Sequence, residues 1–144
     1  MAEPFPINAV WVLGAVGSFA VSMLHLWIAW KGASAYRFFG AGEAMVLMAE
    51  KASPIPALVT LGIALVFAVF GWYALAAARL VAALPLQATV LWSIASIYTL
   101  RGLAVLVELA MLWRGRKVPP QNPWFSLASL SIGLVHLWGL KEAI

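Results

Sequence analysis

Four ionisable side chains stand inside otherwise apolar stretches of the sequence: His25, Arg101, Glu108 and His136. Each residue type suggests a chemistry. An arginine kept from water, flanked by imidazole and hydroxyl donors, can hold an anionic head group or a carbonyl oxygen. One imidazole with two carboxylates, His25 with Glu43 and Glu108, can bind a divalent cation or relay protons. Two histidines on different helices can ligate a haem iron from opposite sides. Spacing places the groups on defined faces. Gly14, Ser18, Ser22 and His25 follow one another at four, four and three residues, which is one face of a helix. Ser129, Gly133 and His136 repeat that pattern, and Arg101 and Glu108 are seven apart. All three stripes are expected to point inward.

Most of these positions also have a plain packing explanation. Small residues four apart let membrane helices approach closely, and serine hydroxyls can bond back to their own helix. Each histidine taken alone reads as a hydrogen-bonded core residue, and Glu108 can reach toward head groups. Arg101 resists such an explanation. It sits near the middle of its apolar stretch, where an arginine costs at least ~2.5 kcal/mol on insertion scales and snorkelling is hardest. It requires a partner, which is either a bound anionic head or carbonyl oxygen, or Glu108 in a permanent pair with helix bending closing the gap.

The elements that must position these groups are membrane helices. Hydrophobic residues make up 65% of the 144-residue chain and charged residues 10%, too few charges to clothe a water-soluble surface. Asp and Cys are both absent, which excludes disulfides, thiolate metal sites and thiol nucleophiles. Four apolar stretches, about residues 8–30, 56–78, 87–113 and 124–140, each approach the length that crosses hydrocarbon. The expected fold is therefore an all-α integral membrane protein, a single domain built as a four-transmembrane-helix bundle. The first stretch reads as a retained helix, because it lacks a basic leader and exceeds a signal peptide's apolar core. Pro4 and Pro6 precede it. Ser53, Pro54 and Pro56 start the second helix, Pro85 separates the second and third, and Pro119, Pro120 and Pro123 separate the third and fourth. Trp11, Trp27, Trp30, Trp72, Trp113, Trp124 and Trp138 fall near helix ends, where indole rings favour the interface.

The net charge of +4 does not point to nucleic acid, since the basic residues flank apolar runs. Lys31, Arg37, Lys51, Arg114, Arg116 and Lys117 lie in the loops after the first and third helices, against Arg79 and Lys141 on the other side. The positive-inside rule then puts those two loops in the cytoplasm and both termini in the periplasm of a bacterial inner membrane. Counting ~1.5 Å per residue from the cytoplasmic ends puts Arg101, His136 and Ser18 ~18–20 Å deep, and His25, Glu108 and Thr60 ~6–8 Å deep. A middle layer of Arg101, His136 and Ser18, with Tyr98, lies over a cytoplasmic layer of His25, Glu108 and Thr60, with Glu43. The histidines differ in depth by ~12 Å, which disfavours a shared haem. No spaced ligand motif supports a divalent metal at His25, His136, Glu43 or Glu108, so no metal site is expected.

The segment of about residues 40–52 is expected to form a short helix at the cytoplasmic interface, with Glu43 and Glu50 on one face. The block Ala35-Tyr-Arg-Phe-Phe-Gly-Ala-Gly-Glu43, with Tyr98-Thr-Leu-Arg-Gly102 and His136, resembles small bacterial four-helix integral membrane proteins to which no activity attaches. The resemblance implies location and architecture and carries no chemistry over. Three function classes fit the polar interior. The favoured one is binding of a lipid-soluble ligand or a partner subunit. The others are an intramembrane enzyme acting on a lipid or quinone by histidine acid–base chemistry, and a small proton-coupled transporter, which in so narrow a bundle would work as a homo-oligomer.

Overall fold

Long apolar segments satisfy their backbone groups internally only as helices or closed barrels, and in the computed structural model, which describes residues 8–142, these segments are helices. Seven helices occur among the described residues: α1 (Ala9–Lys31), α2 (Ala33–Phe38), α3 (Glu43–Glu50), α4 (Ile55–Ala77), α5 (Gln87–Gly102), α6 (Ala104–Trp113) and α7 (Asn122–Glu142). Pro4 and Pro6, expected ahead of the first helix, lie outside the described residues. Among the described residues, four helical spans are long and apolar enough to cross a membrane: α1, α4, α5 with α6, and α7, of 23, 23, 27 and 21 residues. Their outer faces carry large apolar side chains such as Leu13, Leu65, Leu106 and Leu134, all more than half exposed. Apolar exposure on that scale suits hydrocarbon rather than water.

Apart from shifts of a few residues at helix ends, three features depart from the sequence expectation. The third span is interrupted at Gly102–Leu103, where the Leu106 N–H turns back to the Leu103 carbonyl at 3.0 Å. A short helix, α2, precedes the expected one. And α7 starts two residues early, because Pro123 sits in its first turn, where a missing N–H leaves no gap. The ends of α2, α3, α4 and α6 share one device. After α4 the Leu80 N–H reaches the Leu75 carbonyl and the Arg79 N–H reaches the Ala76 carbonyl, both at 3.0 Å, with Arg79 in the left-handed conformation at φ 64°. This is the Schellman arrangement, in which glycine is usual at the left-handed position.

The chain divides into two compact units, one of Ser18–Gly71 and one of residues 8–17 with 72–142. In the first, α2 packs on α3, and Ile28, Ala35, Tyr36 and Val46 form a buried cluster. Arg37 and Glu50 are joined by an ion pair across the two short helices. In the second, α5 and α7 run antiparallel at very close range. A Cβ on Gly102 would overlap the Leu130 backbone, and one on Gly133 would overlap Thr99. The buried faces repeat at three and four residues: Leu91, Ile94, Ala95, Tyr98 and Gly102 on α5, and Ser126, Gly133, His136, Gly139 and Leu140 on α7.

Candidate functional site

The unit of residues 8–17 with 72–142 contains two polar centres. The first surrounds His136, which α7 buries completely. Its Nδ1 lies 2.9 Å from the Ile132 carbonyl one turn back. A carbonyl only accepts, so Nδ1 carries the proton and donates, and Nε2 is left as a lone-pair acceptor. Nε2 is buried without a hydrogen-bond partner. The imidazole stacks on Tyr98 and meets Trp11 edge-on, each with ring centroids at 5.8 Å. Its other flank is Gly14, where an added Cβ would come within 3.0 Å of the ring. His136 is thus packed between two aromatic rings and a glycine, with its acceptor facing no donor.

The second centre is a relay. Arg101 Nη1 donates to the Ser126 hydroxyl at 2.9 Å, and that hydroxyl donates to Glu108 Oε1 at 3.0 Å. The serine accepts on its lone pair and gives its one proton, so a cation and a carboxylate are linked through a neutral group. Glu108 Oε2 is buried without a partner. Ser126 is wholly buried, Glu108 half-buried and Arg101 exposed. The expected inward stripe of Arg101 and Glu108 therefore takes a different form. Tyr98, Gly102 and Val105 occupy the buried face, the helix breaks between the two charged residues, and Arg101 leaves the outer edge to reach inward to Ser126. The register explains the reach. Gly102 faces Leu130 on antiparallel α7, so Ser126 lies about one turn further along the third span than Gly102, between Arg101 and Glu108.

Of the expected middle layer, Tyr98 and His136 come together, and Arg101 turns to Ser126. Ser18 is buried on α1 and belongs to the other unit. There, His25 Nδ1 donates to the Val21 carbonyl at 2.8 Å, and its ring lies 5.1 Å from that of Phe67. The Thr60 hydroxyl lies 2.8 Å from the Pro56 carbonyl and 3.1 Å from the Tyr36 hydroxyl. Ser22 donates to the Ala64 carbonyl at 2.7 Å, tying α1 to α4. Glu43 is exposed at the start of α3, beside a recess of about 420 Å³ lined by Tyr36, Arg37, Gly40, Gly42, Val46 and Leu47. Among the described residues, no three His, Asp or Glu side chains gather as a metal site would require.

Compared with known protein families, curated proteins and solved structures, the chain matches none. The site is therefore read from its own geometry.

Two of its residues escaped the sequence reading. Ser126 continues the stripe of Ser129, Gly133 and His136 by one more step of three; the signal was present, but the residue falls in the first turn of the expected stretch 124–140, where a serine reads as an end-of-helix residue. Trp11 stands near a helix end, the usual place of an interfacial tryptophan, yet it is only 3% exposed. Gly139 supplies the reason, since a Cβ there would overlap the indole ring.

Proposed function

We propose that this chain is a multi-pass protein of a bacterial inner membrane that binds a lipid-soluble ligand through an acidic or carbonyl oxygen held by Arg101. The observation that carries the reading is the position of that arginine. It is exposed in mid-span, among exposed Ile97, Leu100 and Leu103, where the surrounding solvent would be hydrocarbon. A guanidinium has five N–H donors in a planar fork. Ser126 takes one of its bonds and Glu108 supplies a countercharge one hydroxyl away. Donors remain for an oxygen arriving from the lipid side, and the relay fixes the fork that meets it. Fatty acids, quinones and lipid phosphates all present such an oxygen.

The orientation belongs to the same reading. The basic loops 32–54 and 114–121 would face the cytoplasm and both termini the periplasm, with α3 lying along the cytoplasmic interface. The test is purification in mild detergent, organic extraction, and identification of what co-purifies. An oxygen-headed lipid or quinone present in wild type and depleted in Arg101→Gln supports the proposal. Extracts that do not differ between the two would refute it. A stoichiometric protein subunit released by Arg101→Gln would instead assign the arginine to a partner helix.

A further inference from the structure

The unit of residues 8–17 with 72–142 has a further feature, lined by none of the relay residues. Where α4 ends and α5 begins, a recess of about 470 Å³ opens between the helix ends, floored by Trp11, Leu91 and Leu140. Its volume falls within the ~300–1,000 Å³ of sites that hold small molecules. Four alanines line it, Ala88 among them; methyl groups stand where leucines would have filled the space. Two polar residues also line it, Arg79 and Gln87. The Gln87 side-chain oxygen accepts from the Leu84 N–H at 3.2 Å, which leaves its –NH2 as the donating face. Arg79 occupies the left-handed position that closes α4. Glycine would take that conformation without strain. The arginine instead accepts the strain, and the cap fixes a cation at the lining of an apolar hollow.

We propose that this recess holds one acyl chain of an anionic phospholipid, with Arg79 and the Gln87 amide on its phosphate. The helix ends that form it lie at head-group depth if the four spans cross a membrane. The inference rests on that membrane reading and is independent of the Arg101 site. An arginine and an amide N–H donor suit phosphate oxygens, and the apolar floor suits the hydrocarbon chain. The second acyl chain stays in the bilayer. Trp11 forms part of the floor and serves as a built-in reporter.

The full-length protein is reconstituted in phosphatidylcholine vesicles, and tryptophan fluorescence is followed as phosphatidylglycerol with brominated acyl chains is added. Expected is a saturable quenching component, reached at roughly tenfold lower mole fraction than with brominated phosphatidylcholine, as one charge-assisted contact would give. It disappears in Trp11→Phe, which identifies the reporter. Arg79→Gln abolishes the preference for the anionic lipid and Arg79→Lys keeps it. Ala88→Phe, an exposed position, removes the saturable component for both lipids. Arg79→Gly separates cap from charge: it raises the melting temperature by relieving the backbone, yet loses the preference. Equal quenching by both lipids, or a preference that survives Arg79→Gln, would overturn the proposal. So would a brominated fatty acid that quenches as well as phosphatidylglycerol, since the head group would then be a carboxylate. Release of the protein from membranes by alkaline carbonate would defeat the membrane reading itself, a failure distinct from loss of lipid preference in a retained protein.

Discussion

Ser126 is the residue on which most depends, because its one hydroxyl serves two charged neighbours. Alanine there leaves Arg101 without an acceptor and Glu108 without a donor. Leaving a buried acceptor unsatisfied costs about 1–3 kcal/mol, so through Glu108 Ser126→Ala should lower the melting temperature in detergent clearly. Ser22→Ala offers the contrast. It removes one hydroxyl bond to a helix carbonyl, an interaction averaging about 0.6 kcal/mol between membrane helices, and should shift melting little. Equal effects of the two changes would refute the relay. The coupling itself is measurable. Arg101→Gln and Glu108→Gln should together cost less than the sum of the two, with an interaction energy of about 0.5–3 kcal/mol in a double-mutant cycle. At this scale the sequence was legible in part. Arg101 announced its need of a partner through its depth and charge. Glu108 was already one of the partners open to it; the serine that links the two depended on the register of α5 and α6 against α7, which no residue type encodes.

Among the elements, α5 and α7 meet at close range, and glycines make it possible. Gly102→Ala and Gly133→Ala would each drive a methyl into backbone or Thr99. Overpacking of this kind typically costs about 1–3 kcal/mol, and both variants should melt early. Gly62→Ala, on α4 with open space around the position, should be neutral or mildly stabilising. A uniform response at all three positions would show that the close approach is not what these glycines serve. Gly14→Ala presses on the His136 ring and should also destabilise. The long helices were readable from apolar length alone. The break at Gly102–Leu103 was not, because a glycine mid-span reads equally as a packing residue, and Gly102 does meet Leu130 of α7 at close range. Short α2 was hidden for a similar reason: six residues carry too little periodicity to mark a helix, and its place is set by the Tyr36 and Val46 cluster and the Arg37–Glu50 pair.

For the molecule as a whole, composition marked four stretches as long and apolar enough to cross a membrane, and charge placement gives the proposed orientation. The absence of cysteine makes that orientation directly testable with single introduced thiols. Ser53→Cys and Lys117→Cys should be protected in intact cells from a membrane-impermeant maleimide, and Lys141→Cys should be labelled. The reverse pattern would invert the protein. The central claim, an oxygen-bearing ligand held at Arg101 from the lipid side, is tested most directly by native mass spectrometry of the protein released from membranes. Wild type and Arg101→Lys should carry a bound adduct of defined mass, which Arg101→Gln and Ser126→Ala lack. An adduct indifferent to Arg101→Gln, or a wild-type protein that flies bare, would contradict the account.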